Sequence, residues 1–168
     1  MTTVRRQPPP GGRSGSRLLD AVGLVLRLGL AGVLGYAGWT KVVDLTGSVQ
    51  NVLAYELFGY ELARAVGVLL PVLELALAVL LLLGLLTRGA AAATAVLMVV
   101  FVAGIASAWA RGLSIDCGCF GTGGRVAPEE TRYLAEMLRD VGFLAMAGWL
   151  VLRPRTPLSL DHHLLRRT

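Results

Sequence analysis

Residues 62–86 read LARAVGVLLPVLELALAVLLLLGLL. As a helix, 25 residues reach about 37 Å, more than the roughly 30 Å of hydrocarbon in a bilayer. Only Arg64 and Glu74 interrupt the run. Working outward, three more apolar runs have similar length: Leu18 to Trp39, Ala90 to Ala110 and Tyr133 to Leu152. The chain is 55% hydrophobic, has a mean hydropathy of +0.65 and is 16% charged. A water-soluble domain of 168 residues could not hide that much apolar surface. The expected fold is all-α: an integral membrane four-helix bundle spanning residues 18–153. Residues 1–17 read as a disordered basic tail, rich in Pro and Gly, and residues 154–168 as a second basic tail.

The net charge is +5, but the basic residues form no stripe that would suit nucleic acid. They gather at the chain ends and in the turn at Arg88. Four spans put both termini on one side, and the positive-inside rule makes that side the cytoplasm. The loop at 111–127 then lies outside the cell membrane.

The glycines of the first run, at 23, 29, 32, 35 and 38, predict close approach of a neighbouring helix. Residues 41–60 predict a short interfacial helix, with Tyr55, Phe58 and Tyr60 at headgroup depth. Pro71 predicts a kink in the second span. Trp39, Trp109 and Trp149 read as interfacial anchors.

The loop contains Asp116-Cys117-Gly118-Cys119-Phe120-Gly121, with the only two cysteines of the chain. A staple between them would close almost no loop and so stabilise little. Two sulfurs do not fill a zinc shell, and the loop holds no His, so no metal site is expected. Redox exchange suits a strained, accessible pair in a glycine-rich loop, with Arg111 and Arg125 favouring a thiolate and Asp116 opposing it. Inert free thiols are the remaining reading. The Gly-x-x-Gly-x-Gly pattern within residues 118 to 124 is no phosphate loop, since neither a strand before it nor a Lys-Ser/Thr after it is present.

Ionisable groups inside the spans include Arg27, Glu74, Glu136, Arg139 and Asp140. Helix counting gives Arg27 and Glu74 similar depth, about 14 Å and 18 Å from opposite ends of their spans, so they are expected to pair. Glu136, Arg139 and Asp140 share a face through i, i+3 and i+4 spacing, below the cysteine loop. Such charges either neutralise one another to fix helix packing or form a polar pocket that relays protons or binds a quinone headgroup.

The Asp-Cys-Gly-Cys-Phe-Gly run after a third apolar helix resembles the methylamine-utilisation MauE family, within the DoxX-like redox-associated membrane proteins. Leu26-Arg27-Leu28-Gly29, then Tyr36-Ala37-Gly38-Trp39-Thr40-Lys41 and Asp44, resemble the family's opening helix. Leu70-Pro71-Val72-Leu73-Glu74 matches its Pro-x-x-Glu segment, and Arg139-Asp140 sits where its last helix carries an Arg and a polar residue. The resemblance covers about residues 18–153. It implies a four-helix membrane bundle that helps an extracytoplasmic, disulfide-rich dehydrogenase subunit mature. It also implies thioredoxin-fold partners and a site at Cys117 and Cys119, supported by Asp116, Gly118, Phe120 and Gly121. The fold is similar to that of quinone-linked disulfide oxidases, though this chain has one cysteine pair where they have two. Three functions stay open: thiol-disulfide exchange with such a partner, a non-catalytic assembly factor, and a small-molecule permease driven by the buried charges.

Overall fold

A computed structural model describes residues 13–120 and 123–154. Residues 1–12 and 155–168 of the tails (with Arg5, Arg6, His162 and His163) and Gly121 of the cysteine run lie outside the described residues, whereas the first helix already begins at Arg13, inside the stretch expected to be a disordered tail. The element order is α1 (Arg13–Val43), α2 (Leu45–Ala54), α3 (Tyr60–Leu83), α4 (Thr87–Ala110), β1 (Ile115–Asp116), β2 (Gly124–Arg125) and α5 (Tyr133–Leu152). A single 3-10 turn, Pro128–Glu130, precedes α5.

The four long helices form a ring. α1 packs chiefly on α3, α4 on α5, and α1 also touches α5, while the seam between α3 and α4 is much thinner. Leu30, Leu34, Leu77, Leu81, Leu97 and Leu150 fill the centre, with Ala90, Ala91 and Ala147 where backbones come close. Outward faces carry Val25, Leu69, Val72, Leu82, Val96 and Val100, all exposed, as a lipid-facing surface requires. Residues 18–43, 60–83 and 87–110 are long and apolar enough to cross a bilayer. α5 has 20 residues but carries Glu136, Arg139 and Asp140 in its first half.

Several local expectations change. The first span runs on to Val43, one turn beyond the apolar run, because Lys41 is buried by a partner rather than released to water. α3 runs unbroken through Pro71. Proline lacks the N–H that would bond the carbonyl four residues back, at Gly67. The Ser48 hydroxyl of α2 donates to that carbonyl at 2.7 Å. Gly67 also lets α2 lie close: a Cβ there would stand 2.8 Å from the Val49 Cα. α2 is thus docked on α3 with Ser48 and Asn51 buried, rather than lying free at the interface. Of the α1 glycines, Gly38 makes the tightest approach, where a Cβ would meet Leu75, the Pro71 carbonyl and Glu74 within 2.8–3.2 Å. Gly32 faces open space.

Candidate functional site

The cysteine loop folds down onto the bundle instead of standing above it. β1 pairs antiparallel with β2. The Tyr133 hydroxyl accepts from the Ile115 N–H at 3.0 Å and donates to the Leu113 carbonyl. Between the strands, Gly118 sits at φ +65, in the left-handed region that glycine adopts without a Cβ penalty. A Cβ there would also strike Asn51 side-chain atoms at 2.7–3.0 Å. Gly123 packs against Gly118 just as closely. The expected open, permissive loop is therefore corrected: its glycines serve close packing, and Cys117 and Cys119 are 9% and 7% exposed. Both are free thiols.

The two sulfurs meet opposite charges. Arg139 places Nη2 3.3 Å from the Cys117 Sγ and Nε 3.1 Å from the Asp140 Oδ1. Its guanidinium also lies 4.8 Å from the centroid of the Phe120 ring, which in turn packs against Tyr36. Cys119 Sγ instead lies 3.9 Å from the Asp140 carboxylate. Cys117 is pulled below the usual thiol range. The side-chain hydrogen bond with Cys119 contributes most, Arg139 and the Cys119 N–H add to it, and burial opposes them. Cys119 is pushed up by that same bond and by burial. The arrangement favours the charged form at Cys117 and the neutral form at Cys119.

Arg111 and Arg125 do not reach the sulfurs. Arg111 donates to the Ser107 and Tyr55 carbonyls, and Arg125 pairs with Glu56. The cation beside the thiol comes from α5, because the loop turns inward.

Glu74 is held by Lys41, not by Arg27. The Lys41 ammonium donates to both Glu74 oxygens at 2.8 and 2.9 Å, and to the Cys119 carbonyl at 2.9 Å. All three of its donors are used. Arg27 lies 14 residues earlier in α1, roughly 21 Å along the axis, so it cannot share that partner. The expected pairing by depth is corrected: Glu74 lies beside the C-terminal end of α1, where Lys41 meets it.

The Asp116 carboxylate lies on the Cys117 side of the pair. Its Oδ1 accepts from the Gly118 N–H at 3.4 Å. The ligand atoms of Asp116, Cys117 and Glu136 lie within 4.8 Å of one another, the set among the described residues that could hold a cation. Arg139 already supplies positive charge to the same sulfur.

Of the expected site residues, the structure gathers Asp116, Cys117, Gly118, Cys119, Phe120, Glu136, Arg139, Asp140 and, through Lys41, Glu74. Arg27 belongs to the other half of the bundle. Sequence reasoning missed four contributors. Tyr55 donates to the Cys117 carbonyl at 3.1 Å, and burial pushes its phenol above the usual range, so it stays a donor. Tyr133, Asn51 and Lys41 are the others. Lys41 carried a signal, being the one lysine beside fifteen arginines. Trp109 stacks on Tyr133, so it supports the loop from below.

A pocket of about 360 Å³ reaches both cysteines from the side. Asn51 and Tyr55 line its head, and Val66 and Leu70 of α3 and Val100 and Phe101 of α4 form its walls.

No curated protein and no solved structure matches the chain. The family described as methylamine utilisation protein MauE matches residues 19–153, which cover the bundle and the whole cysteine site. With that match across most of its length, the chain belongs to the MauE family of membrane proteins.

Proposed function

We propose that this protein is a membrane thiol-disulfide redox protein, in which Cys117 is the attacking thiolate and Cys119 the resolving thiol. The observation that carries the reading is the asymmetry of the pair: Arg139 at 3.3 Å from Cys117, Asp140 at 3.9 Å from Cys119. An attacking sulfur gains from being ionised near neutral pH, and a resolving sulfur must keep its proton until its turn comes.

In the oxidising direction, a partner's thiolate attacks the Cys117–Cys119 disulfide at Cys117. Cys119 leaves as a thiolate and takes a proton. The partner's second thiol then displaces Cys117, and the protein is left as the dithiol. The reducing direction is the reverse. The partner is an extracytoplasmic thioredoxin-fold or disulfide-containing protein. The family's printed description, methylamine utilisation, suggests a client in that pathway. Both termini face the cytoplasm and the cysteine loop faces outward. Support for that orientation comes from Arg88 at the start of α4 and Arg153 just after α5, which share one end of the bundle. Because both thiols are buried, the loop must lift, or the partner must insert, before exchange.

The test is a mixed-disulfide trap in cells. Cys119→Ser retains Cys117 and should accumulate a covalent adduct with an extracytoplasmic protein, resolved by mass spectrometry. Cys117→Ser should yield no such adduct. Equal trapping by both variants, or by neither, sinks the reading.

A further inference from the structure

The pocket beside the cysteines has a shape that thiol exchange with a protein does not use. α3 and α4 are joined by a turn at Gly84–Leu86 and touch little, and the pocket lies between them at the end away from that turn. The walls there, Val66, Leu70, Val100 and Phe101, belong to helices with the composition of membrane spans. Such a seam opens toward lipid rather than water. At its head stands Asn51, 5% exposed. Its amide donor and its amide acceptor both lack a hydrogen-bond partner. A buried amide left that way is costly unless something fills the pocket and satisfies it. Cys117, Gly118 and Cys119 line the same space.

We infer that this pocket binds a lipid-soluble quinone, headgroup toward Asn51 and the cysteine pair and tail out between α3 and α4, and that it is the electron acceptor of the dithiol. This rests on the redox reading above and names the co-substrate of that same site. Three features select the ligand class. The head must offer an acceptor and, once reduced, a donor to one amide. The tail must be apolar. The head must take two electrons beside two thiols. A phospholipid meets only the second requirement fully. The volume of about 360 Å³ lies in the range of small-molecule sites.

The step balances without a further reagent. The sulfurs of Cys117 and Cys119 join in a disulfide, losing two electrons. The quinone takes those two electrons and two protons and leaves as quinol. One proton comes from the Cys119 thiol, and the other is the one Cys117 gave up on ionising, returned from solvent.

The experiment uses the full chain in phosphatidylcholine nanodiscs, with decylubiquinone and menadione as probes. Pre-reduced protein, freed of reductant, should convert about one quinone to quinol per chain while its thiols become a disulfide by mass. Binding is read separately, by quenching of tryptophan fluorescence in the doubly substituted Cys117→Ser/Cys119→Ser protein. Asn51→Leu should weaken that binding about tenfold or more through two lost hydrogen bonds. Val66→Phe, which narrows the pocket from the α3 wall, should weaken it without touching Asn51 or the loop. Val66→Phe, which lies outside the cysteine site, should still form the mixed disulfide with the protein partner. If the trap succeeds but neither quinone binds or is reduced, the inference fails and the exchange reading stands. If a quinone binds yet the thiols stay reduced, or a co-purified phospholipid holds the pocket against both probes, the inference also fails. Loss of trapping with quinone reduction intact would instead overturn the partner reading alone.

Discussion

At Cys117, a 3.3 Å contact with Arg139 and a hydrogen bond from its neighbour favour the ionised sulfur. The sign follows directly. A lowered pKa means that the thiolate persists as pH falls below the ordinary thiol value of about 8.5. Methylthiolation of Cys117 by a small permeant reagent should therefore stay fast at a pH where a free thiol slows. In Arg139→Gln the midpoint should move upward, and Cys119 should stay the slower of the two at every pH. A pH profile followed by peptide mass analysis checks this, and equal profiles for the two cysteines would refute it. Gly118 makes a different demand. At φ +65, alanine costs about 1–2 kcal/mol from the backbone alone, before its Cβ meets Asn51. Gly118→Ala should lower the melting temperature in detergent and raise the alkylation rate of both cysteines, because the loop lifts off α2.

Among the elements, α1 and α3 are joined to the loop by one ammonium group. Lys41 and Glu74 are 3% and 1% exposed, so removing either leaves a buried charge unpaired. Lys41→Met should destabilise the protein by about 3–5 kcal/mol, whereas Lys41→Met with Glu74→Met should recover most of that. Thermal unfolding of the three proteins in one detergent measures it. Lys41→Arg should not rescue in full, since a planar fork cannot aim three donors as an ammonium does. Pro71, Gly67 and Ser48 form the second join. Ser48→Ala should cost about 1–3 kcal/mol, because the Gly67 carbonyl then has neither the N–H that proline lacks nor the hydroxyl. Pro71→Ala with Ser48→Ala should cost less than Ser48→Ala alone, as the helix bond returns.

For the whole molecule, the claim to test is sidedness. The native thiols are too buried to report it, so the labels belong on exposed positions in the protein lacking both cysteines. Arg125→Cys on β2 should react with an impermeant maleimide in intact cells. Arg88→Cys, at the start of α4 and at the opposite end of the bundle, should react only after lysis. The reverse pattern would invert the orientation and place the redox site in the reducing cytoplasm, where a persistent disulfide is not expected.

The sequence by itself determined the solvent and the class of fold. Runs such as 62–86 are too long and too apolar for anything but helices in lipid, and that depends on composition and length alone. It also singled out the cysteine run and put Glu136, Arg139 and Asp140 on one face, because helical spacing is a local property. The partners were decided only by tertiary structure. Arg27 and Glu74 looked paired by depth, but the pairing depends on where α1 ends, and α1 ends late because Lys41 finds Glu74 and the Cys119 carbonyl. Arg111 and Arg125 looked close to the thiols in sequence, but the loop turns inward and brings α5 to them instead. Asn51 carried no signal in the sequence. An asparagine in a short amphipathic helix gains meaning only when Pro71 and Gly67 dock that helix against α3 and leave its amide facing the cysteine pair.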